Sequence, residues 1–154
     1  MKKLLLHFDT DASPSTFDQV VAYDSNVDNI IAYGGITVEN VTSHVHGMLF
    51  TRGGGNLKNS AIFIGGSNVS ASDLVGAAVK KSFFEPMSVS VMLDPNGSNT
   101  TAAAIVRKVT TNYDINGKKV VIIGSGPVGQ RAALLLLKEG AGEVVITSRD
   151  ITRS

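Results

Sequence analysis

Short apolar runs alternate with turn residues and helix-length segments along the chain, and that alternation restricts the fold more than any other feature. The runs fall at residues 4–8, 30–33, 61–64, 89–93, 120–123 and 144–147. Gly, Asp, Ser or Asn follows most of them, and stretches with helical spacing fill the intervals. Neighbouring parallel strands are joined only through a long crossover, so this order specifies βαβ units and a mainly parallel sheet.

Local signals place the helices. Pro14 precedes Ser15, and Ser15 with Asp18 has capping-box spacing, so a helix is expected over 15–23. Residues 37–46 begin helically, 48–51 read as strand, and Arg52-Gly53-Gly54-Gly55 reads as a flexible loop. A helix is expected over 70–82, with Leu74, Ala77, Ala78 and Lys81 at helical spacing and Lys80-Lys81 at its exposed end. Further helices are expected over 100–109 and 127–139, the second stopped by Gly140. Apolar periodicity lapses at 110–117, which places a domain boundary there: 1–112 and 113–154.

The chain has 154 residues, 18% of them charged, and sixteen glycines; low charge with extra glycine suits buried strands and tight turns and argues against disorder. A net charge of +1 makes no electrostatic case for nucleic acid or an anionic membrane. The sequence has no cysteine, which excludes disulfides, thiolate zinc, iron–sulfur clusters and a cysteine nucleophile, and makes reduced cytoplasm the expected compartment. No apolar stretch approaches the ~18 residues of a membrane span. Met1-Lys2-Lys3 before 4–6 looks like the start of a signal peptide, but Asp9 and Asp11 interrupt it, and it reads as a first strand.

Gly124-Ser125-Gly126-Pro127-Val128-Gly129 is G-x-G-x-x-G, directly after the strand at 120–123 and at the start of a helix. In that setting Gly124 allows a tight turn, Gly126 lets backbone amides approach a pyrophosphate, and Gly129 lets helix and strand pack closely. The alternative is a βα turn whose glycines are purely steric. The expected fold is therefore α/β, with an N-terminal three-layer, mainly parallel domain and a truncated Rossmann-type βαβ unit. Beyond Asn116 the chain has one strand–helix–strand unit, whereas a dinucleotide domain is built from two βαβαβ halves.

The end of the following strand selects the nucleotide. An NAD site places an acidic residue about 20 residues beyond the fingerprint to hold the ribose. Here Ser148-Arg149 occupies that place, and a hydroxyl with a guanidinium suits the 2′-phosphate of NADP. The alternative is a solvated Arg149 with Asp150 on the ribose.

Several segments carry a family resemblance: Phe8-Asp9-Thr10-Asp11-Ala12, Thr51-Arg52-Gly53-Gly54, Ala61-Ile62-Phe63-Ile64-Gly65-Gly66, Met92-Leu93-Asp94, Asn96-Gly97-Ser98-Asn99-Thr100-Thr101-Ala102-Ala103-Ala104, Gly117-Lys118-Lys119 and Gly126-Pro127-Val128-Gly129. With these the chain resembles the NADP-dependent methylene-tetrahydromethanopterin dehydrogenases of methylotrophic bacteria. Members of that family are nearly twice as long. Pro95 stands where a small polar residue is expected, and His44 and His46 also depart from the pattern.

The resemblance implies hydride transfer from the methylene carbon of a reduced pterin, tetrahydromethanopterin or tetrahydrofolate, to NADP. The pterin nitrogens stabilise the methenyl cation left behind, so the protein's task is to position two rings and set the electrostatics. Parallel strands bring the turns at Asp9 and Asp11, 65–67 and 94–99 to one sheet edge, and the pterin is assigned between that edge and the fingerprint. The assigned positioning and electrostatic residues are Asp94, Asn96 and Asn99; the substrate-binding candidates are Asp9, Asp11, Ser98, Thr100 and Thr101. For Asp9, Asp11 and Asp94, turn and capping roles stand as the alternative. Arg52 is a candidate for an acidic tail on the pterin, or a solvated loop residue. His44 and His46, read as sharing one side of a strand, lack a third ligand, and no metal centre is expected. A homo-oligomer is expected, because a half Rossmann unit leaves apolar surface uncovered. The competing readings are an NADP-dependent reductase of another substrate and a non-catalytic piece that folds or associates.

Overall fold

A computed structural model describes residues 1–149. The chain divides into two compact units, Met1–Asn96 and Gly97–Ser154. In the first unit β1 (Leu4–Asp9), α1 (Thr16–Asp24), β2 (Asn29–Tyr33), α2 (Val41–Arg52), β3 (Ser60–Gly65), α3 (Val69–Lys81) and β4 (Ser90–Leu93) come in that order. The strands form one fully parallel sheet in the order β2-β1-β3-β4. The α/β class and the parallel sheet are as the alternation predicts.

Alternate residues of the central strands face opposite layers. Leu6 and Phe8 of β1 and Ile62 and Ile64 of β3 join Val41, Val45 and Leu49 of α2 and Val75 and Val79 of α3 in one buried cluster. Burying each large side chain stabilises the unit by about 1.5–3 kcal/mol. His7 and Asp9 point to the other face, where α1 supplies Asp18, and α1 has no fully buried residue. The unit thus has three layers, with the apolar core concentrated on the α2–α3 side.

The Ser15 cap is as the spacing predicts, and Asn68 adds a cap at the start of α3. Ser15 Oγ accepts from the Asp18 amide at 3.2 Å, and Asn68 Oδ1 accepts from the Ala71 amide at 3.1 Å. One expectation fails between β2 and β3. Residues 48–51, read as strand, are the second half of α2, and the glycine loop continues into a 3-10 turn over Gly54–Asn59. Val41, Val45, Met48 and Leu49 recur at helical spacing and are buried, so packing decides for helix although Thr51 and Phe50 favour strand.

The second unit contains α4 (Ser98–Asn112), β5 (Lys119–Ile123), α5 (Pro127–Lys138) and β6 (Glu143–Thr147), with β5 and β6 parallel. Ala102 and Val106 of α4 pack with Ala132 and Leu136 of α5, and Val120, Ile122 and Val144 close this cluster. Because α4 buries its apolar face there, the contacts divide the chain at Asn96 and Gly97, earlier than the boundary expected at 112/113. The opposite face of β5 is bare among the described residues: Val121 is 56% and Ile123 92% exposed. No helix among the described residues is long and apolar enough to cross a membrane.

Candidate functional site

In the first unit the chain leaves β1 toward β2 on one side and returns past β1 to β3 on the other. Ligands of open α/β sheets bind at such a reversal, outside the carboxyl ends of the strands. Asp9 and Gly65 end β1 and β3 and face each other in register. Asp11 reaches across this edge: its Oδ2 accepts from the Ser67 amide at 2.9 Å and its Oδ1 from Ser67 Oγ at 2.8 Å. The turns after β1 and β3 therefore do meet. Asp94 follows β4, is buried, and donates its amide to the Ile64 carbonyl at 3.0 Å.

Asp9 takes the capping role offered as its alternative. Its Oδ1 accepts from the Asp11 amide and its Oδ2 from the Ser15 amide, both at 2.9 Å, with the side chain 1% exposed. Asp18, which sequence spacing marks only as a capping partner, carries the less saturated carboxyl. Burial pushes its pKa above the ordinary value; the Ser15 hydrogen bond and His7 oppose that shift, while Asp9 and Asp94 add to it. Asp9 and Asp94 are thus both close enough to act on Asp18.

His7 has no distinguishing signal in the sequence, since a lone His in an apolar run usually reads as core. It is 1% exposed and stacks edge-on to Phe63, its partner across β1 and β3, with ring centroids 5.3 Å apart. Burial lowers its pKa below 6.5, against the opposing pull of Asp9 and Asp18.

The structure corrects two other assignments. His44 and His46 lie on α2, not on a strand. His44 packs on Tyr33 at 4.2 Å between centroids, and His46 Nε2 hydrogen-bonds the Ser82 carbonyl at 3.0 Å, so the two do not form a pair. Arg52 donates to Ser60 Oγ at 3.0 Å and to the Lys2 carbonyl at 2.6 Å. Those atoms lie where β1 and β3 begin, at the edge opposite Asp9 and Gly65, so Arg52 ties strands rather than meeting a ligand at the carboxyl edge.

In the second unit Gly124-Ser125-Gly126-Pro127-Val128-Gly129 connects β5 to α5 as the fingerprint predicts. Gly124 has φ +118°, a conformation that other residues rarely adopt. A Cβ on Gly129 would run into the Gly124 carbonyl, so that glycine serves close packing. A Cβ on Gly126 would meet no protein atom, and Gly124, Gly126 and Pro127 are exposed. Steric demands of the turn therefore account for Gly124 and Gly129 but not for Gly126. Val128 is half-buried, Gln130 Nε2 braces the Ser125 carbonyl at 2.8 Å, and Ser148 and exposed Arg149 come directly after β6. Asp150, the alternative ribose partner, lies outside the described residues.

Asn96 and Gly97 are both left-handed, at φ 52° and 62°, and lead into α4. Ser98 is buried and its Oγ accepts from Arg131 Nε at 3.2 Å, fastening α4 to α5, while Thr100 and Thr101 are exposed.

The sequence profile of the family described as "Methylene-tetrahydromethanopterin dehydrogenase, N-terminal" matches residues 16–96. The chain belongs to this family. It is 51% identical to the "Bifunctional protein MdtA" of Methylorubrum extorquens, over 99% of this chain and 54% of that protein. It is 36% identical to the "NAD(P)-dependent methylenetetrahydromethanopterin dehydrogenase" of the same organism, over 95% of this chain and 52% of that one. The "Shikimate dehydrogenase (NADP(+))" of Alkalilimnicola ehrlichii matches over 38% of this chain and 22% of its own length at 37% identity. The chain spans about half the length of the first two relatives.

Proposed function

We propose that the chain serves the NADP-dependent oxidation of methylene-tetrahydromethanopterin, or of methylene-tetrahydrofolate, to the methenyl form. The reading rests on Gly126, a glycine that no protein contact requires, at an exposed helix start in a chain of this family. One relative is named for NAD(P)-dependent dehydrogenation of that pterin. Bound NADP supplies the hydride acceptor. Gly124, Ser125, Gly126, Pro127, Val128 and Gly129 shape the turn that admits a pyrophosphate, and Ser148 with Arg149 holds the 2′-phosphate. Asp94, Asn96 and Asn99 position the pterin and favour positive charge on it, with Thr100 and Thr101 as further polar contacts. Asp9 and Asp11 shape the carboxyl edge, and Ser98 sets the start of α4.

A second reading has its own support. The bare apolar face of β5, with Ile123 92% exposed, favours a non-catalytic piece that folds and self-associates. The cysteine-free composition suits a reducing cytoplasm. Titration of the chain with NADP and NAD, then assay of reduced-nucleotide formation with each methylene pterin, separates the readings. Binding with turnover supports the first, binding alone supports an NADP-dependent reductase of another substrate, and absence of both supports the non-catalytic piece. Failure of both nucleotides to bind overturns the first.

A further inference from the structure

The imidazole of His7 is among the most buried side chains of the first unit, at 1% exposure, yet neither Nδ1 nor Nε2 has a hydrogen-bond partner among the described residues. A buried polar group left so is costly, and each such group calls for an explanation. Nε2 lies 3.6 Å from Asp9 Oδ2, too far for a hydrogen bond. Asp18 closes the group: one donor atom each from His7, Asp9 and Asp18 lies within 4.8 Å of the others. Zinc bonds of about 2.0–2.1 Å in tetrahedral array space their ligands roughly 3.3 Å apart, so a small contraction suffices.

Gly65 gives this arrangement room. A Cβ there would stand 3.2 Å from Asp18 Oδ2 and 3.4 Å from His7 Nε2, so both donors border the space that the missing side chain leaves. We propose that His7, Asp9 and Asp18 bind a single divalent transition-metal ion of the Zn2+ or Mn2+ class at the carboxyl edge of the first sheet. One imidazole with two carboxylates suits these ions, whereas Mg2+ prefers oxygen donors and retained water. The Asp11 and Ser15 amides each bond one oxygen of Asp9 and hold it in place, as outer partners of a ligating carboxylate do. Half-buried Asp18 provides the ion's entry and leaves further positions for water. The ion fastens the start of α1 to β1; hydride transfer does not call on it.

The test needs neither pterin nor nucleotide, so its outcome is separate from that of the proposed oxidation. The full chain is stripped with chelator and titrated calorimetrically with Zn2+, Mn2+ and Mg2+. One equivalent of Zn2+ or Mn2+ is expected to bind, with little competition from Mg2+. H7Q and D18N are each expected to weaken binding by about tenfold or more, a typical loss for disturbed metal sites. Co2+ in the same site is expected to show visible ligand-field bands that H7Q alters. Asp18 is half-buried on the first turn of α1, so D18N keeps a folded control should H7Q fail to fold. Absence of saturable binding to the unsubstituted chain, or equal binding to the folded variants, overturns the proposal.

Discussion

Replacing Gly126 by Ala separates a glycine kept for the fold from one kept for a ligand. Gly126 has φ −70° and ψ 175°, an extended conformation open to any residue, and a Cβ there meets nothing within 4 Å. Substituting Gly by Ala at a compatible backbone position stabilises by about 0.4–1 kcal/mol through the unfolded chain. At about 2–4 °C per kcal/mol for a chain of this size, Tm is expected to hold or rise by a few degrees. A phosphate oxygen approaching the amides needs about 2.9 Å, and the new methyl stands in that approach. Losing one charge-assisted hydrogen bond costs about 1.5–3 kcal/mol, so NADP affinity is expected to fall roughly ten- to hundredfold. Calorimetric titration and thermal melts read the two effects on one sample. Unchanged affinity, or a fall in Tm of several degrees, would refute the reasoning.

Gly129→Ala is the contrasting case. Its Cβ meets the Gly124 carbonyl, so strain of about 1–3 kcal/mol is expected in urea unfolding. Arg52→Ala removes bonds to the Lys2 carbonyl and Ser60 Oγ and is expected to cost about 1–3 kcal/mol of stability without altering pterin affinity. Ile123→Lys is expected to shift stability by no more than about 0.5 kcal/mol, because the side chain is 92% exposed, while reducing self-association in sedimentation. In chelator-treated protein His7 gives a pH signature. Its folded pKa is below 6.5, so the unfolded chain binds more protons in between; stability is full above about pH 6.5 and is lost as pH falls to the folded value. Asp18 runs the other way: its raised folded pKa makes stability greatest at low pH, with loss as pH rises through that value. H7Q and D18N are expected to flatten the respective slopes in pH-dependent urea melts.

Much of the architecture is legible in the sequence because local chemistry and tertiary packing agree. The run at 61–64 is the heart of β3, Ser15 and Asp18 cap α1 as their spacing predicts, and the fingerprint sits between β5 and α5. Residues 48–51 read wrongly as strand because β-favouring Phe50 and Thr51 are carried by a helix that buries Met48 and Leu49. The candidate site is legible only in outline. Asp11 does join the turns after β1 and β3, but it does so through Ser67, fifty-six residues away, and no spacing rule names that partner. His7 has no local signal at all, since its meaning depends on α1 folding back to place Asp18 beside it.

Most of the strand and helix order, the glycine-rich turn after β5 and the Ser15 cap come from the amino-acid sequence alone, because hydrophobic period, backbone permissiveness and caps act over a few residues. Only tertiary structure decided that the Asp11 and Ser15 amides hold the Asp9 carboxylate, that Arg52 serves the opposite edge, and that α4 belongs with α5. Those outcomes depend on which distant groups meet once the sheet has formed and which buried donors and acceptors then find partners.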